Sequence, residues 1–84
     1  MNITEIKEMV TPYVLKAYAM GLFVEKSDPT TGAHFDEINF PDEFGDDNWY
    51  RAGKDIMTTI DVLANDYALA QKVMDLVDQK NGLK

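Results

Sequence analysis

The sequence predicts a mainly helical single domain: a kinked N-terminal helix, an acidic connecting segment with room for a small β-hairpin, and a long C-terminal helix. Three observations predict it. Apolar residues recur at helical spacing at both ends of the chain. Acids and turn formers concentrate between them. And 84 residues, 45% hydrophobic and 27% charged, are enough for one globular domain and too apolar for a disordered chain.

Ile3, Ile6, Val10, Tyr13, Ala17, Met20 and Val24 follow one another in steps of three and four, which is helix periodicity. Asn2 and Glu5 make a capping-box start. Pro12 interrupts the run, because its ring meets the carbonyl four residues back and it has no N–H to donate. The helix is therefore expected to kink near residues 8–11, or to restart with Thr11 as cap and Pro12 in the first turn. From Pro12 to Met20 Lys16 is the only charge, so this stretch is expected in the core or against a partner. Gly21 suits a left-handed helix end.

Beyond Gly21, residues 23–26 and 33–40 read as two strands joined by the turn formers of 27–32, with Pro41 ending the second. The C-terminal pattern is the strongest. Ile56, Ile60, Leu63, Tyr67, Ala70, Met74 and Val77 keep alternating steps of four and three, and Val62, Leu69, Val73 and Leu76 add a second stripe. A face this wide predicts a helix with two neighbours rather than a coiled-coil seam. Asn65-Asp66 offers a restart, but the unbroken register favours one helix over about 48–80, opened by Trp49 and Tyr50 and stopped at Asn81-Gly82.

The net charge of -7 belongs to the middle of the chain. Residues 27–50 hold Asp28, Asp36, Glu37, Asp42, Glu43, Asp46 and Asp47 and no lysine or arginine, while the rest of the chain is balanced. Five of the nine aromatics share that segment: Phe35, Phe40, Phe44, Trp49 and Tyr50. Either the acids are a solvated loop pinned down by its aromatics, or they form a negative surface that attracts a basic partner.

Several chemistries are excluded. With no cysteine there is no disulfide, thiolate metal site or cysteine nucleophile, and with His34 alone there is no multi-histidine zinc site. No phosphate-binding glycine loop, nucleophile elbow or metal-binding His-Glu helix is present. Residues 42–48 do not match a calcium-binding EF-hand loop. The expectation is therefore no enzyme, no cofactor and no metal. The acidic N-terminus is unlike a secretory signal and no apolar run is long enough to span a bilayer, so the expected compartment is the cytoplasm, with no membrane contact.

Direct nucleic-acid binding is disfavoured, because it rests on neutralising phosphates with clustered bases. The reverse is coherent: an acidic surface with interleaved aromatics can occupy a basic nucleic-acid groove. In size and charge the chain is similar to small phage-encoded inhibitors of host nucleic-acid enzymes, a likeness of composition that no motif carries. The expected function is a non-enzymatic protein-binding module, an inhibitor or regulator of a basic, nucleic-acid-binding protein. Its expected contact residues are Asp36, Glu37, Asp42, Glu43, Asp46, Asp47, Trp49 and Tyr50. The alternative is a structural protein that self-associates as a homo-oligomer through its apolar helices.

Overall fold

A computed structural model describes residues 2–45 and 49–82. The described chain is α+β, not mainly helical: α1 (Ile3–Ala19), β1 (Phe23–Ser27), β2 (His34–Asn39), a short 3-10 turn η1 (Asp42–Phe44), β3 (Trp49–Arg51), α2 (Ile56–Ala64) and α3 (Tyr67–Lys80). The strands form one antiparallel sheet with β2 at its centre.

The start of α1 follows its sequence signal. The Asn2 side chain accepts the Glu5 N–H, and the Glu5 carboxylate accepts the Asn2 N–H. The helix then runs through Pro12 as one element, so of the two alternatives the restart at Thr11 does not occur. Instead the Thr11 hydroxyl bonds back to the Lys7 carbonyl at 2.6 Å. At the other end, Leu22 N–H donates to the Ala17 carbonyl and Gly21 N–H to that of Tyr18, with Gly21 at φ +74°. This Schellman closure needs the left-handed conformation that glycine adopts without a Cβ penalty.

The expected hairpin is present, with Phe23 opposite Ile38 and Ser27 opposite His34. Its turn is held by Asp28, whose carboxylate accepts the N–H groups of Thr30 and Thr31. Trp49 and Tyr50 do not open a helix. They lie in β3, opposite Asn39 and Ile38, and extend the hairpin to three strands.

The single helix expected over 48–80 is also overturned. Its chain divides into β3, α2 and α3, and the break falls at Asn65-Asp66. Asp55 caps α2 through Thr58, and Asp66 caps α3 by accepting the Leu69 N–H. The break turns the apolar face back on the molecule, so that α1 packs against both α2 and α3. Val10, Val14, Ala17, Leu63, Ala70, Val73, Leu76 and Val77 are buried there, together with Ile38 and Phe40 from the sheet end. Among the described residues no helix is long and apolar enough to cross a membrane.

Candidate functional site

The acidic segment does not form one surface, because strand alternation sends neighbouring residues to opposite faces. Asp36 shares the inward face with Ile38 and Phe40 and is only 4% exposed. Glu37 points to the outer face, where it pairs in register with Arg51 and Val24. Asp42 and Glu43 are exposed on η1. Asp46 and Asp47, and the turn expected to open the long helix, lie outside the described residues.

Trp49 and Tyr50 separate in the same way. Trp49 is half exposed on the outer face, with the Lys26 ammonium 5.7 Å from its ring. Tyr50 turns inward, edge-on to Phe40 at 5.4 Å, and accepts a hydrogen bond from Lys72 Nζ at 2.8 Å. Phe44 packs on Phe40 at 5.6 Å. These aromatics fasten η1 to the sheet end, and Gln79 donates to the Glu43 carboxylate from α3. Glu43, Phe44, Asp75 and Gln79 thereby line a shallow crevice between η1 and α3. Asp75 belongs to this acidic face although it lies 32 residues from Glu43 in sequence, outside the segment where the charge bias is visible.

A second cluster surrounds Asp36. Its Oδ2 accepts the Tyr18 hydroxyl of α1, and its Oδ1 lies 3.2 Å from His34 Nε2. His34 Nε2 is also 3.4 Å from Glu25 Oε1. Tyr18 Oη is 3.0 Å from the buried Thr59 hydroxyl, which accepts the Gly53 N–H at 3.0 Å. Asp36 N–H donates to the Gly53 carbonyl and Ala52 N–H to that of Asp36. Burial and the adjacent Asp36 carboxylate push the Tyr18 phenol well above its usual range, so it stays a donor. Ring stacking of Tyr18 on Phe23 at 4.4 Å fixes its orientation.

Among the described residues, Glu25, His34 and Asp36 are the group with the donor set and spacing to hold a metal ion. Sequence reasoning missed Glu25, Tyr18 and Thr59. The alternation of 34, 36, 38 and 40 could have placed Asp36 on the inward face, but no local signal marks its partners on α1 and α2. Comparison with protein-family models, curated proteins and solved structures finds no match to this chain.

Proposed function

We infer that this chain is a non-enzymatic protein-binding module that acts in the cytoplasm on a basic, nucleic-acid-binding partner through the acidic face of η1 and α3. The observation that carries the reading is the crevice that Glu43, Phe44 and Asp75 line together with Gln79. Carboxylates beside an aromatic ring suit lysine and arginine side chains, by charge-assisted hydrogen bonds and by contact with the ring face. The excess of seven negative charges extends this attraction beyond contact range and steers a basic partner toward the molecule.

Among the described residues the proposed contact set narrows accordingly. Asp42 and Glu43 stay in it and Asp75 joins it. Asp36 and Tyr50 turn inward, and Glu37 and Trp49 belong to the outer sheet face. Self-association through apolar helix faces has less to work with, since Val10, Val14, Leu63, Ala70 and Val77 are already consumed by the core.

Capture of partners from a lysate of the source cell tests the reading, with wild type and Asp42→Asn/Glu43→Gln/Asp75→Asn compared side by side. The expected result is a basic protein retained by wild type, lost from the triple variant, released by salt and displaced by nucleic acid. Equal capture by both forms, or a partner that nucleic acid does not displace, contradicts it.

A further inference from the structure

Glu25 and Asp36 are cross-strand partners in β1 and β2, and His34 stands two residues before Asp36. All three side chains therefore leave the same face of the sheet. One ligand atom of each lies within 4.8 Å of the other two. His34 Nε2 is 3.4 Å from the Glu25 oxygen and 3.2 Å from the Asp36 oxygen. Ligands around a tetrahedral zinc ion, each about 2.0–2.2 Å from the metal, stand about 3.3–3.6 Å from one another. The two distances from His34 Nε2 already have nearly that spacing, and the two carboxylate oxygens lie within 4.8 Å of each other.

Two features distinguish it from a surface ion pair. The first is the anchoring of Asp36, whose side chain is 6% exposed. Its Oδ2 is fixed by Tyr18, which Thr59 supports, and its Oδ1 is turned toward His34 at the mouth of the cluster. A ligating carboxylate is held in this manner, one oxygen tied to an outer hydrogen-bond donor and the other presented to the ion. The second is a shortage of protons. A single Nε2 faces two carboxylates and carries at most one hydrogen. A cation among the three satisfies all of them through lone pairs.

We propose that Glu25, His34 and Asp36 bind one divalent transition-metal ion of the zinc type, with solvent completing the coordination. Imidazole nitrogen with two carboxylates suits zinc, whereas calcium and magnesium take oxygen shells of six or more ligands. The Glu25 side chain is 81% exposed, so the ion enters from solvent and keeps an open position. A bound ion links β1 to β2 directly and, through Asp36 and Tyr18, to α1. The site is independent of the acidic face of η1 and α3.

Isothermal titration of the full chain with Zn²⁺ tests the proposal, with Co²⁺ visible absorption as a second readout. One zinc per chain is expected. His34→Gln and Glu25→Gln alter solvent-accessible positions and should keep the native circular dichroism while weakening zinc at least about tenfold. Co²⁺ should give d–d bands in wild type that are lost in His34→Gln, and excess Ca²⁺ or Mg²⁺ should not displace zinc. Tyr18→Phe should weaken binding less than removal of a ligand. Absence of saturable zinc binding overturns the proposal. So does zinc binding that His34→Gln leaves unchanged, because the ion would then sit on surface acids elsewhere.

Discussion

The Tyr18 hydroxyl donates to the Asp36 carboxylate and so ties the last turn of α1 to the central strand of the sheet. An acid at a 4%-exposed position is tolerated because both its oxygens have partners, Tyr18 on one and His34 on the other. Tyr18→Phe removes one of them without changing the packing against Phe23. It should cost about 1–3 kcal/mol in urea unfolding, the range for a buried polar group left unsatisfied. Asp36→Ala should cost more than Asp36→Asn, which keeps a hydrogen-bonding group in place. A Tyr18→Phe protein as stable as wild type would show that this bond does not hold the two layers together.

The core makes a second prediction. Leu63 is 1% exposed at the contact of α2 with α1, whereas Met57 on the same helix is 77% exposed. Leu63→Ala should cost about 2–5 kcal/mol. Met57→Ala should change stability by less than about 0.5 kcal/mol. Similar melting temperatures for the two variants would contradict the face assigned to α2.

Two glycines should fail for different reasons. A Cβ at Gly53 would stand 2.5 Å from the backbone of both Thr58 and Thr59, a contact that only movement of α2 relieves. A Cβ at Gly32 meets nothing, but the residue has φ +74°. Gly32→Ala should therefore cost about 1–2 kcal/mol of backbone strain. Gly53→Ala should cost more, at or beyond the usual overpacking range of about 1–3 kcal/mol. Reversal of that order in denaturant midpoints would contradict the close approach of residue 53 to α2.

The acid limb of stability should depend on two carboxylates. Asp28 is held below the usual carboxylate range by the N–H groups of Thr30 and Thr31. Asp55 is lowered by the N–H and hydroxyl of Thr58. A carboxylate lowered in the folded state contributes stability above its unfolded value, and that contribution disappears as pH falls through the folded one. Stability should thus decline as pH drops below the ordinary aspartate value of 3.8. In Asp28→Asn/Asp55→Asn the decline should be shallower, since asparagine serves turn and cap without titrating. An unchanged acid limb would assign the loss to other groups.

The parts of this fold that local chemistry encodes were legible. Asn2 and Glu5 announce the start of α1, Gly21 its end, and the turn formers of 27–32 the hairpin. The division of the C-terminal half was hidden by its own regularity. The steps Ile60, Leu63, Tyr67, Ala70 continue across the break, so only the capping chemistry of Asn65 and Asp66 marked it. Strand β3 is three residues long and exists through pairing with β2, a non-local partner that Trp49-Tyr50-Arg51 does not reveal. The candidate sites fared similarly. Charge counting grouped Asp42 and Glu43 with Asp36, whose inward position follows from strand parity. Asp75 and Glu25 come to their clusters only through tertiary packing and strand register.

Recognition of a basic partner by the acidic face of η1 and α3 is the proposal on which the functional reading stands or falls. The most direct measurement is the association rate of the captured partner as a function of ionic strength, for wild type and for Asp42→Asn/Glu43→Gln/Asp75→Asn. Between about 0.05 and 0.5 M salt the screening length falls from above ten ångströms to a few, so electrostatic steering is largely removed across that range. The wild-type rate should fall steeply with salt, and the variant rate should be slower with a clearly shallower slope. Identical slopes for the two proteins, or a wild-type rate indifferent to salt, would contradict it.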